Sequence, residues 1–184
     1  MFSRLRTQSG YTLPELMLIV GVAATLMAMA VPVAQDVTAA IKLGEAARMV
    51  ERELQDARLR AVSSNRTLRV RFNCPVVGQL RTVEVLGTAA DSPTSRCSLG
   101  SYPFPADQDL MTRPNYDGPL RYLPNEATIA GSAVQFQPDG TAQLVGATGI
   151  GTTLAAPTTI TITRRNVSRT ISVNGAGKVQ LNVQ

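Results

Sequence analysis

From Leu16 to Gln35 the chain carries no charge. As a helix rising 1.5 Å per residue, this stretch would reach about 30 Å, the thickness of a bilayer's hydrocarbon core. It follows Ser9-Gly10-Tyr11-Thr12-Leu13-Pro14-Glu15, with Arg4 and Arg6 ahead of it. A basic start and an apolar run also describe a secretory signal peptide. Against that reading, the run is longer than the usual signal core and Glu15 stands at its start. It also passes into a helical pattern rather than a cleavage turn, although Ala28-Met29-Ala30 is a formal small-x-small match. An ordinary signal anchor is the remaining alternative. Pro14, near the helix start, costs no hydrogen bond, whereas Pro32 should bend or locally open the helix. A lone carboxylate such as Glu15 at membrane depth marks a functional position, the alternative being a place at the headgroup level.

After Asp36 the pattern becomes amphipathic. Ala40, Leu43, Ala47, Val50, Leu54, Ala57 and Ala61 step by three and four residues as one helical stripe. Charged residues from Arg48 to Arg58 largely take the other faces, and Gly44 alone weakens the propensity. A single helix over about 14–63 would be roughly 75 Å long, natural where half of it lies in a membrane or a filament core. Ser63-Ser64-Asn65 ends it. The small residues on the stripe suggest close approach of a sheet, with a free coiled coil disfavoured because Ala outnumbers Leu and Ile.

Beyond Asn65 the period becomes two. Leu68, Val70 and Phe72 alternate with Arg69 and Arg71, and Thr82 to Leu86 continues the theme. Residues 88–125 form a long loop region rich in Pro, Ser, Asp and Gly, with a short strand near Leu120 to Leu123. Ala133–Gln137 and Thr141–Val145 flank an Asp139-Gly140 turn as a hairpin. Gly146–Ala156 is predicted to be a loop, Thr158–Thr163 a strand, and Thr170–Val173 with Lys178–Val183 a terminal hairpin. A helix followed by antiparallel strands predicts an α+β fold with the apolar stripe laid on one sheet face.

Composition narrows the function. Low aromatic content and no Trp leave a core of Val, Leu, Ile and Ala. No His is present, which removes the usual triads, and no two-Cys spacing resembles a zinc site. No nucleophile or metal arrangement is recognisable, so the expectation is no enzyme, no catalytic residue, no cofactor and no metal. The formal charge is +5; removing residues 1–10, with Arg4 and Arg6, leaves +3.

Gly10-Tyr11-Thr12-Leu13-Pro14-Glu15-Leu16 resembles the processing motif of type IV pilins and type II secretion pseudopilins. Glu53-Leu-Gln-Asp-Ala-Arg58 with Ala61, Val134 to Gly140, and Ile171 to Lys178 are similar to the GspH/FimT group of minor members. The likeness covers both ends of the domain but not residues 88–125. It implies that a prepilin peptidase cuts between Gly10 and Tyr11 and N-methylates Tyr11. Glu15 would then occupy the fifth mature position and meet the N-terminal ammonium of a neighbouring subunit. Pro32 falls where the family often has a kinking proline. The side-chain-free Gly10 admits a close backbone approach by the peptidase.

The resemblance divides the chain into a leader (1–10), a transmembrane or filament-core half-helix (11–35), an amphipathic half-helix (36–64) and a β domain (65–184) with a variable loop at 88–125. It implies a single-pass inner-membrane protein with a periplasmic domain. Its partners would be prepilin peptidase, other pilins or pseudopilins, the assembly platform and the lipid bilayer. In an exported domain Cys74 and Cys97 would form a disulfide, the alternative being two unpaired buried thiols. Function is expected to be structural, a minor pilin or pseudopilin near the filament tip. The alternative is a DNA-binding minor pilin for DNA uptake. Some FimT-type members use a Gly-Arg-x-Arg pattern that here becomes Gly177-Lys178-Val179-Gln180. Arg164, Arg165 and Arg169 with Lys178 would then contact phosphates.

Overall fold

The computed structural model describes residues 10–88, 91–92, 96–98, 117–124, 127–146 and 149–182. The leader up to Ser9, most of the 88–125 segment and the last two residues lie outside them. The chain divides into two compact units, Met1–Thr38 and Ala39–Gln184. One helix, α1 (Leu13–Ser64), contributes to both.

In the first unit α1 is capped by Thr12, whose carbonyl accepts from the Leu16 amide at 3.1 Å. Pro14 falls in the first turn, where amides have no intrahelical acceptor to lose. The helix continues through Pro32, whose ring nitrogen cannot donate to the Ala28 carbonyl. The hydroxyls of Thr25 and Thr38 donate to the Val22 and Ala34 carbonyls, each at 2.8 Å. Those polar side chains are therefore satisfied inside the helix.

In the second unit α1 buries Ala39, Leu43, Ala46, Ala47, Val50, Leu54, Ala57 and Ala61. The stripe therefore begins at Ala39 and not at Ala40, which is exposed. At about 100° per residue, Ala40 falls just outside the arc that the buried residues span. With five alanines among eight, the stripe lets the strands approach closely.

Among the described residues ten short strands follow: β1 (Leu68–Phe72), β2 (Gln79–Glu84), β3 (Leu120–Tyr122), β4 (Ala127–Ala130), β5 (Val134–Phe136), β6 (Ala142–Val145), β7 (Gly151–Thr153), β8 (Thr158–Arg164), β9 (Val167–Val173) and β10 (Val179–Asn182). They form two antiparallel sheets, ordered β3-β2-β1-β5-β6-β7 and β10-β9-β8-β4. The helix stripe shares one apolar core with residues of both, including Leu68, Val70, Phe136, Ile160, Ile162 and Ile171. Two sheets thus stand where the sequence pattern suggested one. The chain passes from the second sheet to the first at Gly131, between β4 and β5. There φ is +156°, and a Cβ would lie 3.3 Å from Ile160 Cα.

The β5–β6 and β9–β10 pairings follow the expected hairpins, β8 forms at the expected strand and pairs with β9 as well, and β3 lies where a short strand was expected. β7 does not follow the expectation, lying inside the stretch read as a loop. Its Gly-Thr-Thr has no apolar side chain, and main-chain pairing with β6 makes it a strand. β2 starts at Gln79 and stops at Glu84. Val85 still donates to the Thr67 carbonyl at 2.9 Å, and the amides after it turn away: Leu86 and Gly87 donate to the Asp91 carboxylate at 3.0 and 2.7 Å.

Candidate functional site

The N-terminal segment presents its chemistry on a short contiguous stretch. Gly10 and Tyr11 are exposed just ahead of the Thr12 cap, and Glu15 sits in the first helical turn. The helix contains an 18-residue window of mean hydropathy 2.4, none of it buried. Met17, Leu18, Leu26, Met27, Met29 and Val33 are each more than 60% exposed, the reverse of a soluble protein's core helix.

Three segments that the sequence singled out meet at Arg58. From the helix, Arg58 Nε donates to the Gly140 carbonyl at 3.0 Å, and Nη2 donates to the Ala176 carbonyl at 3.1 Å. The Ala142 amide donates to the Gly175 carbonyl at 2.9 Å, tying the two turns to each other. Gly177 makes this junction possible. Its φ is +74°, and a Cβ there would lie 2.1 Å from Gly140 O and 2.7 Å from Arg58 Nε. The glycine turn is therefore a steric requirement of the clamp.

A second cluster was not legible from the sequence. Register places Arg69, Arg71, Arg81 and Val83 on the sheet face opposite the helix, with Arg71 directly across from Arg81. All four are buried. Two like charges facing each other across strands are unfavourable alone, so their surroundings must compensate.

Asp117 does so for one side. It accepts from Arg81 Nη2 at 3.1 Å, Arg96 Nη2 at 2.7 Å and the Glu84 amide at 2.9 Å. Burial still pushes its carboxyl above the ordinary range, against those three contacts. Arg69 instead donates from Nε and Nη2 to Gln135 Oε1 and from Nη2 to the Gly149 carbonyl. Arg71 Nη2 donates to the Asp91 carbonyl. Burial lowers both guanidiniums, Arg71 to about 10 with the Arg69 charge adding to the effect. The disulfide joins Cys74, just past β1, to Cys97, next to Arg96, so it tethers this cluster's cover.

The four cationic candidates do not converge. Arg164 closes β8 and is buried, Arg165 is exposed in the β8–β9 turn, and Arg169 is half-buried over Gly44 of the helix. Lys178 precedes β10 at the far end of β9. The seven residues of β9, about 24 Å at 3.4 Å each, separate Arg165 from Lys178.

No family model matches the chain, and no curated protein does. Among solved structures, it is similar to the type IV minor pilin FimU of Pseudomonas aeruginosa strain PAO1. In one crystal form the identity is 21% and the TM-score 0.46, over 77% of this chain and 88% of that one. It is also similar to the minor pseudopilin EpsH from the Type 2 Secretion System of Vibrio cholerae. There the identity is 12% and the TM-score 0.48, over 77% and 96% of the two chains. The fold itself is α+β, a long N-terminal helix whose amphipathic half packs on antiparallel sheets.

Proposed function

We propose that the chain is a minor pilin or pseudopilin, a structural subunit held in the inner membrane and then incorporated near the tip of a filament. One observation carries this reading: an exposed apolar helix that begins within the Gly10–Leu16 motif. That surface must be covered by lipid before assembly and by neighbouring helices afterwards. Prepilin peptidase cuts after Gly10, and the freed Tyr11 amine becomes the partner of Glu15 in an adjacent subunit. The assembly platform then lifts the subunit out of the bilayer. The disulfide suits a periplasmic domain. Nothing in this role requires catalysis.

The test is co-expression with prepilin peptidase followed by mass spectrometry of the N-terminus. The expected product starts at Tyr11 and carries one added methyl group; a chain cut elsewhere, or left whole, refutes the processing step. Glu15→Ala should be processed normally but fail to enter filaments. Normal incorporation of that variant would remove the pairing role. The DNA-binding alternative has a narrower base, because of its four candidates only Arg165 and Lys178 are exposed and they lie at opposite ends of β9.

A further inference from the structure

A cleft of about 490 Å³ opens beside Arg69, within the unit that begins at Ala39. Gln135 lines it with Arg69, Val85 and Ile150 supply apolar wall, and Thr88 and Ser92 add hydroxyl-bearing residues. The volume is in the range of small-molecule sites, and polar side chains outnumber apolar ones in the lining, with Asp91 lining the cleft beside Arg69.

The charge beside the cleft is unbalanced. Arg69 and Arg71 are both buried, and among the described residues neither donates to a carboxylate. Their shared acidic neighbour is Asp91, whose two carboxylate oxygens are committed to the Leu86 and Gly87 amides. Two guanidiniums therefore share one carboxylate that hydrogen-bonds to neither. Arg69 Nη1 has a single contact, a long 3.4 Å bond to the Asp91 carbonyl, although it carries two hydrogens. A buried cation with donor capacity to spare favours an anion within reach of its fork.

We propose that this cleft binds a small molecule bearing an oxyanion, carboxylate or phosphate, with the oxyanion against the Arg69 guanidinium and the ligand's apolar part against Val85 and Ile150. The proposal does not depend on the filament reading, since every residue it uses lies on the β domain.

Isothermal titration calorimetry on the full chain in detergent tests it, using inorganic phosphate and N-acetylalanine as probes at ionic strength fixed with sodium chloride. Saturable binding of at least one probe in the millimolar range or tighter is expected. Tighter N-acetylalanine binding assigns the site to carboxylates with an apolar group, and tighter phosphate binding assigns it to phosphate-type ligands. Ile150 is 67% exposed, so it can be changed without disturbing the core. Ile150→Glu places a competing negative charge at the cleft and should weaken binding roughly tenfold with the apo melting temperature unchanged. Ile150→Gln should weaken it far less. Absence of saturable binding for both probes up to about 20 mM overturns the proposal. Equal weakening by the Glu and Gln variants overturns its electrostatic basis.

Discussion

Replacing Gly177 with Ala separates a steric effect from a conformational one. Gly87 provides the reference: its φ is +72°, close to the +74° of Gly177, yet a Cβ at Gly87 would meet nothing within 4 Å. Gly87→Ala should therefore cost only the left-handed conformation of a residue with a Cβ, about 1 kcal/mol. Gly177→Ala carries that same cost and a collision with the Gly140 carbonyl, 2.1 Å from the added carbon. The Gly140 turn or the Gly177 turn has to move. Either movement breaks at least one of the two hydrogen bonds that Arg58 makes to Gly140 and Ala176. A hydrogen bond from a charged donor contributes about 1.5–3 kcal/mol. The sum predicts about 2.5–4 kcal/mol for Gly177→Ala, roughly two and a half to four times the effect at Gly87. Urea unfolding of the purified chain in mild detergent, followed by circular dichroism, measures both. In an Arg58→Ala background the Gly177→Ala penalty should shrink, because the lost bonds are already gone. If the two glycine variants unfold within about 0.5 kcal/mol of each other, the clamp does not hold the turns as argued.

Two further outcomes follow from the polar contacts. Asp117→Asn removes the carboxylate that Arg81 and Arg96 share and should cost about 3–5 kcal/mol in the same unfolding assay. A loss below about 1 kcal/mol would mean that those guanidiniums are balanced elsewhere. Asp139 accepts from the Thr141 hydroxyl at 2.7 Å and its amide at 2.9 Å, which hold its carboxyl below the ordinary 3.8. Because the folded value is the lower one, its stabilisation is present above pH 3.8 and is lost as pH falls through the folded value. Thr141→Val should move the Asp139 carboxyl back toward 3.8 in an NMR titration, and an unmoved titration would rule the hydroxyl out as a cause.

The helix was legible because its signal is periodic and needs only one apolar partner face. Leu43 to Ala61 fixed that face; its start, Ala39 against Ala40, and the burial of Ala46 came only from the structure. The N-terminal motif is contiguous along the chain, so its proposed role rests on the sequence. The arginine cluster was not legible. Leu68-Arg69-Val70-Arg71-Phe72 is the pattern of a strand with one solvated face, yet that face is covered by Asp91, Arg96 and Asp117, brought there through space. Nor does local patterning reveal the Arg58 clamp, whose bonds join positions 82 and 118 apart. The three segments that build it were each conspicuous; their meeting point was not. β7 was missed because a Gly-Thr-Thr edge is made by its neighbour's backbone.

The outer strands of both sheets are short: three residues in β3 and β7, four in β4 and β10. A strand of that length presents only one or two unpaired amides to a passing chain, too few to template the growth of a continuous sheet. The β domain is thereby protected against fibrous aggregation at high local density. In the filament proposed above, where subunits would be crowded to such densities, a domain with blunt edges would tolerate that crowding and leave polymerisation to the helices.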